Sequence, residues 1–251
     1  MSKYIRFFSD LSKEDIADVG GKNASLGEMI SQLGPKGIRI PAGFATTAQA
    51  YWDYLEHNGL KEKLTNLLQK LDTKEFENLR ETGKKARELI LNGEFPDDLA
   101  QEIKDAYSQL KDKEDVLSSV AVRSSATAED LPEASFAGQH DSFLNIQGPE
   151  KTLKSCKKCF ASLFTDRAIR YREHNGFEHM KVALSAGVQK MVRSDKASAG
   201  VGFTILPDTG YEKVLFLTGS WGLGDNVVQG AVNADEFYVF KPSLKKGMRS
   251  I

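Results

Sequence analysis

The chain has 251 residues, of which 40% are hydrophobic and 27% charged, and its formal net charge is −1. That size suits one large domain or two ordinary ones with a sizeable buried core, and the near-neutral balance excludes a global field favouring nucleic acid or an anionic membrane. No apolar run approaches the roughly 18 residues of a membrane-spanning helix, the N-terminus has no hydrophobic signal core, and two cysteines make no disulfide framework, so the expected setting is a soluble protein of a reducing cytoplasm.

In chain order, Gly20-Gly21-Lys22-Asn23 leads into a helix in which Leu26, Met29, Ile30 and Leu33 fall at helical spacing, and Gly34-Pro35 stops it. The segment 38–45 reads as a short strand and turn. Thr46 or Thr47 then caps a helix holding Tyr51, Trp52 and Leu55. Residues 60–110 read as helices with solvated faces, one opened by Pro96 and carrying Leu99, Ile103, Tyr107 and Leu110, before a polar turn at 111–115.

Residues 118–123 read as a buried strand, and one long helix is expected from about 150 to 173. Its inward residues would be Leu153, Cys156, Phe160, Leu163, Phe164 and Ile169, with a basic outer face of Lys151, Lys154, Lys157, Lys158, Arg167, Arg170 and Arg172. Strand candidates follow at 182–192, 199–206, 214–218 and 236–240. The layout is α+β, with a helix-rich lobe over about 1–115 and a strand-rich lobe over about 116–251. Lys245-Lys246-Gly247 resembles a turn into a further element, so the chain is expected to stop inside a domain.

Three segments have residue types suited to anions or nucleotides. After the strand at 118–123, Arg123 enters a loop of hydroxyls, small residues and glycine that runs through Gly138 and Gln139. Guanidinium gives a fixed fork of donors, and Ser, Thr and open backbone N–H groups supply more; an ordinary turn-rich loop has the same composition. Gly20-Gly21-Lys22 offers close backbone approach, a helix N-terminus and a point charge, or else a plain glycine turn. It is not a Walker A loop, because Ile16 and Asn23 stand where that motif needs Gly and Ser or Thr. Gln189-Lys190-Met191-Val192 can present amide, cation and main chain to a purine edge, or simply end a strand.

Other patterns are weaker. Gly222-Leu223-Gly224 fails the dinucleotide fingerprint at Val227. Cys156 and Cys159 with His174 and His179 match a loose zinc spacing, but cysteines inside a helix argue against a finger, and Cys156 is expected in the core. The basic face of 151–172 reads as solvated, with Arg167 and Arg170 best able to meet phosphate; without interleaved exposed aromatics it is not an RNA surface.

Taken in order, Val19–Met29, Arg123–Gln139, Ser162–Ala168, Gln189–Val192, Ser198–Thr204 and Gly222–Gly230 resemble the N-terminal nucleotide-binding domain of the phosphoenolpyruvate synthase (pyruvate, water dikinase) family, and the resemblance spans essentially the whole chain. Gly230–Phe237 fits that family better than pyruvate phosphate dikinase or rifampicin phosphotransferase, which remain alternatives beside a non-catalytic nucleotide-binding module. The resemblance implies an ATP-grasp-like fold that binds Mg–ATP, with Lys22 and Arg123 on the phosphates, Gly138 and Ser142 in a phosphate-covering loop and Gln189 at the adenine; Arg167 is a further phosphate candidate. It implies phosphoryl transfer to a histidine on a swivelling domain, then to pyruvate in a barrel domain, and leaves open a homodimer of the full-length enzyme.

The chain also departs from the family. None of His57, His140, His174 and His179 lies in the Thr-Cys-His-Ala-type motif of the acceptor, so no catalytic residue is expected here. The acidic magnesium ligands and the pyruvate barrel are expected beyond residue 251, and Asp225 stands where relatives often have Glu.

Overall fold

The computed structural model describes residues 2–110, 119–127, 142–248 and 251. The first part comprises β1 (Ile5–Phe7), α1 (Ile16–Val19), α2 (Gly21–Leu33), β2 (Gly43–Thr46), α3 (Ala48–His57), α4 (Leu60–Leu68), α5 (Leu79–Leu91) and α6 (Asp97–Gln109). Next come β3 (Val120–Ala126), β4 (Ser142–Ile146), α7 (Pro149–Ser162), α8 (Asp166–His174) and β5 (Leu184–Lys190). The remainder holds β6 (Ser198–Phe203), β7 (Val214–Trp221), α9 (Gly224–Val228), β8 (Asp235–Phe240) and α10 (Lys241–Leu244). The mixture of helix and antiparallel sheet is the α+β class read from the sequence, but the chain divides between Met191 and Val192 and not near residue 115. The physical reason is that β3 is hydrogen-bonded along its length to β5 and packs on α7, which also packs on α5 and α6, so helices and strands from both sides of residue 115 share one core.

Within residues 1–191 the strands form one antiparallel sheet in the order β1-β2-β5-β3-β4. Alternate side chains leave a strand on opposite faces, and β2 shows what lies on each. Phe44 joins the main core with Tyr51, Tyr54, Phe160, Val122 and Val188, while the next residue, Ala45, joins a small cluster of Phe8, Leu11, Val19 and Ala24. One face is therefore covered by helices α3–α8, and α1 and α2 lie against the other. Tyr51 and Phe160 meet edge to face at 5.3 Å and Tyr54 packs on Phe160 in a tilted arrangement at 5.5 Å, so Phe160 binds α3 to α7.

Local chemistry explains most element ends. Thr47 caps α3 by accepting from the Ala50 N–H, and α6 starts immediately after Pro96, as expected. The expected single helix over 150–173 is two: α7 stops at Ser162, and Thr165 starts α8 by accepting from the Ala168 N–H. All six residues expected inward are nevertheless buried. Arg172, placed on the basic surface by periodicity, is instead fully buried. In α2 the helix forms as expected, but Met29 is exposed and small residues face inward; a Cβ on Gly27 would stand 2.4 Å from the Leu11 carbonyl oxygen, which shows how closely this helix is pressed on the chain.

Residues 192–251 form a second compact unit around the antiparallel sheet β6-β7-β8. Phe203, Phe216 and Tyr238 are opposite one another across the three strands, with ring centroids 6.3 and 5.0 Å apart. The glycine-rich segment after β7 turns at Gly222 (φ 87°) into the short helix α9.

Candidate functional site

The face of the larger sheet turned toward α2 has few apolar side chains. Strand β3 is buried at every position except Arg123. Across the ladder, Ala121 is opposite Gln189, Arg123 is opposite Gly187 and, on its other side, Ser142, and Ser125 is opposite Ser185. Directly opposed residues project to the same side, so Gln189, Arg123, Ser142, Ser125 and Ser185 share this face. The alternate residues Val120, Val122, Leu184, Ala186 and Val188 enter the core behind.

The start of α2 is fixed to this face. Its N-cap, Gly20, has φ 76° and ψ 161°, and a Cβ there would stand 2.3 Å from Ser125 Oγ. The Lys22 N–H donates to that same Oγ at 3.2 Å, and the Lys22 side chain is exposed beside it. Asn23 is buried; its Nδ2 donates to the Val19 carbonyl and to Ser185 Oγ, both at 2.9 Å. The N-terminal end of a 13-residue helix, where open N–H groups and the macrodipole favour negative charge, is thus held over the rows of Arg123 and Ser125. At the other end of the face Gln189 is 8% exposed, and its Nε2 donates to the Pro41 carbonyl at 3.1 Å, leaving Oε1 as acceptor. From the Ala121–Gln189 row to the Ser125–Ser185 row is four residues of strand, or about 13 Å.

Of the residues expected at a nucleotide site, Arg123, Ser142 and Gln189 therefore share one sheet face, and the helix start that carries Lys22 is bonded to that face. Gly138 lies outside the described residues. Arg167 stands apart, exposed in the first turn of α8, whose Ile169 is buried in the core behind the sheet. Lys190 follows Gln189 on the strand and projects to the opposite face, so the two do not act on one ligand from the same side.

The sequence reading missed Ser125 and Ser185 as fixed hydrogen-bond partners and Asn23 as a buried link. A signal was present: Ser185, Gly187 and Gln189 alternate with apolar residues, the period of a strand with one polar face.

The remaining candidates have structural places. Cys156 and Cys159 are buried in α7, and burial pushes the Cys156 thiol up to about 12. His57 ends α3 and His174 ends α8, both exposed. His179 accepts at Nδ1 from Arg172 Nε at 2.9 Å, and its Nε2 lies 2.7 Å from Glu173 Oε1. Burial, and then the Arg172 charge, hold the His179 pKa below its ordinary value. No helix among the described residues is long and apolar enough to cross a membrane.

The chain is 56% identical over 249 residues to phosphoenolpyruvate synthase of Neisseria meningitidis, 54% over 250 to that of Helicobacter pylori and 51% over 243 to that of Escherichia coli. These matches take in 97–99% of this chain but 31% of each relative, so the chain spans about a third of their length. Residues 16–251 match the family described as pyruvate phosphate dikinase, AMP/ATP-binding domain, and the chain belongs to that family.

Proposed function

We propose that the chain is the ATP-binding portion of a phosphoenolpyruvate synthase, whose full reaction converts ATP, pyruvate and water to AMP, phosphoenolpyruvate and phosphate through a phosphohistidine on another domain. The observation that carries this reading is the placement of Arg123 and Gln189 on one sheet face with the α2 start that bears Lys22 hydrogen-bonded to it, so that cationic groups stand toward one end and an amide at the other. An extended nucleoside triphosphate matches that order: base at Gln189, phosphates at Arg123 and the α2 N-terminus, with Ser142 beside Arg123. An ATP-grasp-like architecture is part of the reading, supported by the division into two compact units that each contain an antiparallel sheet.

What this face contributes chemically is binding and charge neutralisation. Arg123 supplies planar paired donors and Lys22 a point charge, the groups that phosphoryl transfer uses to offset charge on the transferred group. Magnesium, which the family's chemistry implies, usually takes one or two carboxylates beside phosphate oxygens. The described part of this face offers cations, hydroxyls and an amide but no carboxylate, and no cluster of three or more His, Cys, Asp or Glu suited to a metal occurs among the described residues. These described donors do not fit the metal, and what they contribute is grip and orientation. In the same reading the acceptor histidine lies on another part of the full-length enzyme: His57, His174 and His179 belong to the helical layer behind the sheet, and His140, which lies outside the described residues, lacks the acceptor's sequence motif.

The test is nucleotide binding. Arg123→Ala is expected to weaken ATP by about 1.5–3 kcal/mol, the scale of a hydrogen bond to a charged group, or roughly 10- to 150-fold in Kd, by calorimetric titration. Unchanged affinity removes Arg123 from the site. The 251-residue chain alone is expected to give no phosphoenolpyruvate from ATP and pyruvate, and turnover by it refutes the assignment of the acceptor to another domain.

A further inference from the structure

Asn23 follows Lys22 directly, but its side chain is buried where that of Lys22 is exposed. It is 2% exposed. Its Nδ2 joins the Val19 carbonyl, at the end of α1, to Ser185 Oγ on β5. Its Oδ1 occupies the space over Gly187, where a Cβ would come within 2.1 Å. Gly187 is the residue opposite Arg123 in the ladder, and Ser185 is opposite Ser125, which receives the Lys22 N–H. The amide therefore ties the first turn of α2 to the two strand rows that present Arg123 and cap Lys22.

We propose that Asn23 is a positioning residue: it sets the separation between Lys22 on α2 and Arg123 on β3, so that both cations reach one triphosphate. This rests on the nucleotide-binding reading above. The geometry gives the amide a role that bulk packing does not supply. The α2–sheet contact at this point is built from Gly20, Gly187, Ser125 and Ser185, with the small Ala24 and Ala45 beside them, so little side chain interlocks and directional hydrogen bonds help set its spacing. The bond to Val19 holds the amide in place within the α1–α2 junction, and the bond to Ser185 resists sliding of the helix start along β5, because a shift of about 1 Å breaks it and leaves the Ser185 acceptor without that donor in a dry setting. Lys22, one residue away on the same rigid turn, moves with it.

The experiment compares Lys22→Ala, Asn23→Ala and the double variant for binding of ATP and of adenosine, with a thermal melt of each protein to choose a temperature at which all are folded. Expected are losses of about tenfold in ATP affinity for Lys22→Ala and for Asn23→Ala, the scale of one charged contact. Adenosine affinity should stay unchanged, and the double variant should bind ATP within about twofold of Lys22→Ala, because the two residues act as a unit. A merely structural role would lower the melting temperature and leave the ATP-to-adenosine ratio unmoved. Two results overturn the proposal: Asn23→Ala binding ATP like the parent while Lys22→Ala does not, or single losses that multiply fully. Undiminished ATP binding by Lys22→Ala would instead overturn the nucleotide reading of this face, and the proposal with it. Should Asn23→Ala fail to fold, Ser185→Ala removes one partner of the same amide and is expected to lower ATP affinity severalfold with adenosine unaffected; parental ATP affinity in Ser185→Ala overturns the proposal equally.

Discussion

Gly20→Ala tests the junction of α2 with the sheet most directly. At φ 76° and ψ 161°, Gly20 occupies a backbone region that is essentially restricted to glycine, and a side chain there costs about 1–3 kcal/mol in backbone strain alone. The new Cβ would also stand 2.3 Å from Ser125 Oγ, 2.6 Å from the Ser125 carbonyl oxygen and 2.7 Å from its carbonyl carbon. The last two atoms are backbone of β3, paired on both sides by β5 and β4, and cannot rotate away, so relief requires the helix start to lift, at a further cost of about 1–3 kcal/mol of the kind seen on overpacking. The sum is about 2–6 kcal/mol. Gly37 supplies the control: its φ is 84°, but nothing lies within 4 Å of a Cβ built there, so Gly37→Ala has strain without collision. In urea unfolding at a common m value, Gly20→Ala should lose at least about 1 kcal/mol more than Gly37→Ala, and it should bind ATP more weakly while Gly37→Ala does not. Equal losses in the two variants would refute the close contact between Gly20 and Ser125.

Two further outcomes follow from the buried groups. The thiols of Cys156 and Cys159 are buried, and the Cys156 thiol is pushed up to about 12, so neither should react with a thiol reagent near pH 8 until the protein unfolds; rapid labelling of two thiols in the native protein contradicts this placement. His179 is held neutral, with Arg172 donating to its Nδ1 and its pKa below the ordinary 6.5, so the unfolded chain takes up a proton there before the folded protein does. Stability from this group is therefore lost as pH falls below about 6.5, and His179→Gln should flatten the fall of urea stability just below that pH relative to the parent; an unchanged slope refutes it.

Much of the fold was legible where neighbouring residues act on one another. Thr47 as a cap, Pro96 opening α6, the apolar set Leu99, Ile103 and Tyr107, and the four later strands all follow from local spacing and local hydrogen bonds. The break between α7 and α8 was not legible from periodicity, because Leu163 and Phe164 remain buried through it and keep the apolar pattern alive while Thr165 restarts the helix. Arg172 was misplaced for a related reason: a period assigns it a helix face, but only the surrounding Tyr51, Phe164 and His179 show that this face is inside.

The sequence by itself determined the types of residue available to a phosphate ligand, Lys22 and Arg123 among glycines and hydroxyls, and an order of motifs specific enough to point to a nucleotide-binding family. Which of them meet was a matter for the tertiary structure alone. Lys22, Arg123 and Gln189 come from three distant parts of the chain, and the β3–β5 register decides that Arg123 and Gln189 face one side while Lys190 faces the other. Register shifted by one residue would exchange every one of those assignments. Ser125 and Asn23 then fix where the helix start stands over that face, through hydrogen bonds between residues 103 and 162 positions apart. Local sequence carries no information about those separations, because the bonds exist only once the strands have paired.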